Sequence, residues 1–122
     1  MPESTVQLMV ELTIAEGHRD AFHAVAREMI GGTSKEPGAL GYNWYLRRDG
    51  MVCRIVETYA NADALLAHLN GPVVQQMIPR LLEHATVDRS EVYGDAGAKA
   101  TEILSRFGTQ VYELWDSMQC AA

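Results

Sequence analysis

The chain has 122 residues, 48% of them hydrophobic, and a formal net charge of −6, enough for one compact domain with a single core. Its Lys and Arg residues form no stripe, which excludes the electrostatic footprint of a protein that grips nucleic-acid phosphates or anionic lipid. The opening Met1-Pro-Glu-Ser-Thr5 has neither a basic nor an apolar segment, and no apolar run approaches the roughly 20 residues that span a bilayer. A cytoplasmic protein that binds neither membrane nor nucleic acid is expected.

Thr5 to Ile14 alternates, with Val6, Leu8, Val10, Leu12 and Ile14 on one side and Gln7, Met9, Glu11 and Thr13 on the other, the pattern of a strand with one buried face. After Glu16-Gly17 the period changes. Phe22, Val25 and Met29, with Ala21 and Ala26, form the apolar stripe of a helix that ends near Gly31-Gly32. Residues 36–59 then read as a hairpin closed by Asp49-Gly50, a dipeptide suited to a two-residue type I′ turn. Counting outward, Arg48 faces Met51, Leu46 faces Cys53, Trp44 faces Ile55 and Tyr42 faces Glu57. These share one face, with Tyr59 beyond them. Asn43, Tyr45, Arg47, Val52, Arg54, Val56 and Thr58 share the other.

Asn61 is a plausible N-cap for a short helix carrying Ala62, Leu65, Leu66 and Leu69, stopped by Gly71-Pro72. Helical spacing resumes from Val73 to His84 through Val74, Met77, Ile78, Leu81 and Leu82, with Pro79 bending or interrupting it. Ala85 to Tyr93 is a further strand. Gly94-Asp-Ala-Gly97 marks a joint, so residues 1–94 form the minimal domain and 95–122 an extension of it: a helix from Ala98 to Phe107 and an extended Thr109–Trp115. Cys53 falls inside a strand and Cys120 in the tail, without disulfide or zinc-ligand spacing, and no two histidines are four residues apart, so no metal site is expected.

The order β-α-β-β-α-β is the ferredoxin-like split βαβ pattern of the α+β class: a four-stranded antiparallel sheet with helices on one side. The uncovered sheet face carries Met9, Tyr45, Val52 and Val56, and a second copy of the chain is the expected cover, giving a homodimer through the sheet.

On the helix side, Glu57 lies among Tyr42, Trp44 and Tyr59. Desolvation there raises the pKa of a carboxylate and makes it a base for phenols or activated carbon acids near neutral pH. Trp44 and the two tyrosines would stack on a flat ligand and donate to a developing oxyanion. His18 and Phe22 lie on one helical stripe facing the upper end of such a pocket. His68 is the best-placed histidine for its wall, although a helix C-terminus also stabilises an imidazole without any ligand. His84 closes a helix as a capping residue.

The strand-helix opening, the lead-in Glu36-Pro-Gly-Ala-Leu-Gly-Tyr42 and the run Ile55-Val-Glu-Thr-Tyr59-Ala-Asn-Ala-Asp-Ala-Leu-Leu-Ala-His68 resemble the antibiotic biosynthesis monooxygenase family of dimeric α+β barrels. The resemblance implies two ferredoxin-like subunits packed sheet to sheet, each with its own cavity between sheet and helices. It also implies a cofactor-free oxygenase of a small reduced aromatic such as a quinol or anthrone. In that reading Glu57 or His68 removes a proton, and Trp44, Tyr42 and Tyr59 hold the ring. A binding module without turnover and a proton-transfer isomerase use the same residues. Haem-degrading relatives are a further alternative through His68, His84, Trp44 and Asn43, weakened because Asn43 points away from Trp44 by strand parity.

Overall fold

The computed structural model describes residues 4–118; Cys120 lies outside them. The elements are β1 (Val6–Ile14), α1 (Arg19–Thr33), β2 (Ala39–Leu46), β3 (Val52–Tyr59), α2 (Ala62–Asn70), a π-helical turn (Val73–Met77), α3 (Ile78–Leu81), β4 (Ala85–Tyr93), α4 (Gly97–Ser105) and β5 (Gln110–Tyr112). The fold is the expected ferredoxin-like α+β arrangement, with one correction. The sheet has five strands in the order β2-β3-β1-β4-β5, because the C-terminal strand adds to its edge. β5 runs parallel to β4, pairing Val92 with Val111 and Tyr93 with Tyr112. The helix α4 between them supplies the crossover that a parallel pair needs.

The hairpin register holds throughout: Tyr42 faces Glu57, Trp44 faces Ile55 and Leu46 faces Cys53. The turn differs from the type I′ expectation. Arg47 N–H bonds to Val52 C=O at 2.8 Å and Gly50 N–H to Arg47 C=O at 2.7 Å, so Arg48 and Met51 fall inside the loop and not on the ladder. Gly50 has φ +76°, and Asp49 is not among the positive-φ residues. The Asp49 carboxylate explains this: one oxygen accepts from Met51 N–H at 2.9 Å, the other from Arg47 at 2.6 Å. This local hydrogen bonding of an Asx residue fixes it outside the left-handed region.

β1 lies at the centre of the sheet and its alternation sorts the two faces. Val6, Leu8, Leu12 and Ile14 are buried beneath the helices. A bulge in β4 pairs Glu11 with Arg89 but Leu12 with Val87, leaving Asp88 as the extra residue. It shifts the parity of β4, so that Ser90 and Val92 turn inward along with Ala85 and Val87.

The core divides into two lobes. Phe22, Val25 and Met29 of α1 pack on Leu12, Ile14, Cys53 and Ile55, with Trp44 beside them. Leu65 and Leu69 of α2 and Ala100 and Leu104 of α4 pack on Val6, Leu8, Tyr59 and Val92. Val10 touches both. Between the lobes the helix layer is irregular: Pro79 cannot donate to the ladder, and the chain passes through the wider π-turn before α3. Asn61 caps α2 as expected, its Oδ1 accepting from Ala64 N–H at 2.8 Å.

On the other face Glu11 accepts from Arg54 at 2.7 Å, and Glu91 accepts from both Arg89 and Tyr93. Met9 is buried among these groups. Leu114, Trp115 and Met118 are 62%, 95% and 89% exposed, so these apolar side chains are not packed into the core. No helix among the described residues is long and apolar enough to cross a membrane.

Candidate functional site

Parity places Glu57 on the helix side of β3, opposite Tyr42 of β2 and Leu8 of β1. The carboxylate is 4% exposed. Its Oε1 accepts from the Tyr59 hydroxyl at 2.6 Å and lies 3.6 Å from Nε2 of His68. His68 shares the buried stripe of α2 with Leu65 and Leu69 and is 2% exposed. Its second nitrogen, Nδ1, is 2.7 Å from Oε1 of Glu36.

Glu36 is the member of this chain that the residue pattern did not single out. It sits in the turn before β2, 32 residues from His68 in sequence, and no local spacing links the two. The available signal was the Glu36-Pro-Gly38 lead-in itself. Gly38 has φ +85°, and a Cβ on it would stand 2.7 Å from Cβ of Ala64. Glycine therefore permits both the turn and its close approach to α2. Ala60 N–H closes the arrangement on Gly38 C=O at 2.8 Å. The turn thus carries the Glu36 carboxylate to the end of α2, where its Oε2 is buried without a partner.

Burial is the dominant influence on Glu57 and pushes its carboxyl above the ordinary range; His68 and the Tyr59 hydroxyl oppose that, and Glu36 reinforces it. Burial, followed by the nearby Glu57, raises the phenols of Tyr59 and Tyr42 as well. Both tyrosines therefore stay O–H donors. The Thr33 hydroxyl, which has no partner of good hydrogen-bond geometry, eases Tyr42 slightly in the opposite direction. Glu36, with 21% of its side chain exposed, accepts the Nδ1–H of His68. With Nδ1 engaged there, Nε2 is the nitrogen that faces Glu57.

A cavity of about 60 Å³ opens from this end, bounded by Tyr42, Glu57 and His68 and continuing between the lobes past Leu12, Ile78, Leu82 and Phe107. Of the residues expected around a ligand, Tyr42, Glu57 and His68 line it. Tyr59 stands behind Glu57, its ring centroid 5.2 Å from that of His68. Trp44 and Phe22 do not line it. They pack edge to face at 6.0 Å in the neighbouring lobe, and the indole N–H of Trp44 is buried without a partner. His18 is also absent from the wall. It precedes α1 at the surface, where its Nδ1 is 3.0 Å from Nδ1 of His84. This contact, and not a helix cap, is the place of the His84 side chain; α3 ends at Leu81 and its C-cap is Leu82.

The haem arrangement is not assembled. Glu36 engages Nδ1 of His68 and Asn43 is exposed on the opposite face of β2. Cys53 is buried, and burial pushes its thiol up to about 12, which removes it as a nucleophile near neutral pH.

The sequence profile of the antibiotic biosynthesis monooxygenase family matches residues 5–80. The chain belongs to that family. No curated protein sequence matches it. Among solved structures it is similar to MupZ from Pseudomonas fluorescens, with 30% identity, a TM-score of 0.81 and coverage of 98% of this chain and 94% of that one. At that coverage the likeness runs on through α4 and β5, beyond the family profile. Rv0793 from Mycobacterium tuberculosis is 26% identical over 73% of this chain and 92% of its own, with a TM-score of 0.67. SnoaB, a cofactor-independent oxygenase from Streptomyces nogalater, shares the fold at 16% identity and a TM-score of 0.67, covering 78% of this chain and 96% of its own.

Proposed function

We propose that this family member is a cofactor-independent monooxygenase in which His68, held by Glu36, is the base and Glu57 the acid. The observation that carries the reading is the Glu36–His68–Glu57 array, with His68 and Glu57 buried at the polar end of an otherwise apolar cavity, Nδ1 at 2.7 Å from one carboxylate and Nε2 at 3.6 Å from the other. Buried acid–base pairs of this kind are the usual equipment for proton transfer at carbon. Family membership and the oxygenase activity of SnoaB, a protein of the same fold, support oxygen as the second substrate.

In this mechanism Nε2 of His68 removes a proton from a methylene next to a carbonyl or on an electron-rich ring. The carbanion gives one electron to O₂, and the two radicals combine to form a C–O bond. Glu57 protonates the resulting peroxide. Loss of the second hydrogen from the same carbon then breaks the O–O bond, leaving a carbonyl and releasing water. One methylene and one O₂ become one carbonyl and one water, so the substrate supplies the electrons. Tyr42 donates to the developing oxyanion.

A proton-transfer isomerase is a second reading, favoured by the placement of acid and base on either side of one small space. Oxygen uptake by the metal-chelated protein, run beside His68→Ala and Glu57→Gln, tests the first reading. Uptake above autoxidation that falls in the variants supports it. Anaerobic isomerisation or deuterium exchange without uptake supports the second, and neither response leaves a binding module. We further propose that the sheet face carrying Met9, Tyr45 and Val56, with the exposed Trp115 tail, is covered by a second copy; sedimentation at a dimer mass tests this.

A further inference from the structure

The walls of the cavity discriminate between kinds of substrate. They run along β1 from Leu8, paired with Glu57, to Leu12, paired with Cys53, four residue steps or roughly 13 Å at the rise of a strand. The volume over that length is only about 60 Å³, against roughly 300 Å³ or more for a pocket that encloses a drug-sized ligand. The space is a slot and not a slab. Its far end and roof are aliphatic: Val87 lies beside Leu12 on the sheet, and Ile78 and Leu82 come from the helix layer.

Polar groups are confined to one end. Tyr42, Glu57 and His68 cluster there, and the remaining polar lining residue, Ser90, already shares a hydrogen bond with Thr109 at 2.7 Å. No ring face is presented as a platform along the slot. Tyr42 is engaged edge-on by Trp44 and His68 at 5.8 and 5.6 Å, and Phe107 stands at the exposed rim. A flat polycyclic quinol needs stacking faces and partners for oxygens at both edges. This cavity supplies neither at its far end.

We infer that the molecule taken here has one enolisable oxygenated head and an otherwise aliphatic body. The head lies between His68, Glu57 and Tyr42, and the hydrocarbon threads the slot toward Leu82 and Phe107. This rests on the proposed function in one respect, that the His68 end is the reacting end.

The test is calorimetric titration of the full-length protein with a homologous series of straight-chain alkyl β-diketones, and separately with anthrone and a naphthoquinol. Affinity is expected to rise about fourfold for each methylene buried until the slot is full, with the flat compounds at least tenfold weaker than the best homologue. Leu82→Trp, at a rim position, lowers the chain length at which affinity levels off. Affinity that ignores chain length, flat compounds that bind as tightly, no binding of the series, or a plateau that Leu82→Trp leaves in place would each overturn the inference. Turnover is read apart from binding. A chain-length-dependent binder that neither consumes oxygen nor exchanges protons above the buffer rate refutes the proposed function alone. Oxygen uptake with anthrone and no chain-length dependence refutes the inference alone.

Discussion

Replacing Glu57 by Gln makes the protein more stable at neutral and mildly alkaline pH. In an unfolded chain a Glu titrates near ~4.3; in the folded protein burial raises Glu57 above that. The folded state therefore holds its proton to higher pH than the unfolded state does. Stability associated with Glu57 is fully present below the unfolded pKa and is lost as pH rises through the folded one, at ~1.4 kcal/mol per pH unit across the window between them. Gln keeps an oxygen to accept from Tyr59 and offers an N–H₂ to the Nε2 lone pair of His68, so both neighbours stay satisfied. The expected result is equal stability of the two proteins at acid pH, with a gap in favour of the variant that widens through that window and then stays constant. Each unit by which the pKa is raised corresponds to about 5 °C in Tm for a chain of this size. Urea unfolding and calorimetry across the pH range measure it. A gap that does not change with pH, or a wild type that is the more stable protein at high pH, would mean that Glu57 is ionised beside a protonated His68. The assigned roles of acid and base would then be reversed.

Glu36→Gln presents an amide N–H to Nδ1 and drives His68 to the Nε2–H tautomer. Nitrogen chemical shifts of His68 should show the exchange, and turnover should fall about 10- to 150-fold, the equivalent of the ~1.5–3 kcal/mol assigned to a hydrogen bond to a charged group. Gly38→Ala places a Cβ 2.7 Å from Ala64 at a φ of +85°. It should cost ~1–3 kcal/mol in urea unfolding and disturb the same His68 signals, because the turn that carries Glu36 must move. Asn61→Ala removes the 2.8 Å cap on Ala64 N–H and should cost ~1 kcal/mol with the His68 signals unchanged.

What was legible in the residues follows from the range over which each signal acts. Strand parity has a period of two, so a turn and two alternating runs were enough to set Tyr42 against Glu57 and to put both on the helix side. The same register survived a misread turn, because Asp49 rearranged the backbone within the loop without changing the pairing beyond it. β5 was harder. It is three residues long and exposed on both sides, so no alternation reveals that it pairs with β4 after the α4 crossover. The Glu36–His68 contact had no spacing to reveal it beyond the Glu36-Pro-Gly38 lead-in; it exists because Gly38 lets a turn touch α2.

The aromatic residues show where parity stops being informative. Phe22 faces the sheet, and Trp44, Tyr42 and Tyr59 do share the side that faces the helices, yet only Tyr42 reaches the cavity wall. A face of the sheet is common to both lobes of the core, and whether a side chain on it meets protein or empty space depends on the helix layer above. That layer is continuous where α1 lies over Trp44 and where α2 and α4 lie over Tyr59. It parts at the π-turn and α3, where Pro79 interrupts regular helical spacing. Proline was visible in the sequence as an interruption. Its structural consequence is that the gap opens over Val10, Leu12 and Ile55, so the cavity is polar at the Tyr42, Glu57 and His68 end and lined elsewhere mostly by aliphatic residues of the sheet and of the helix layer.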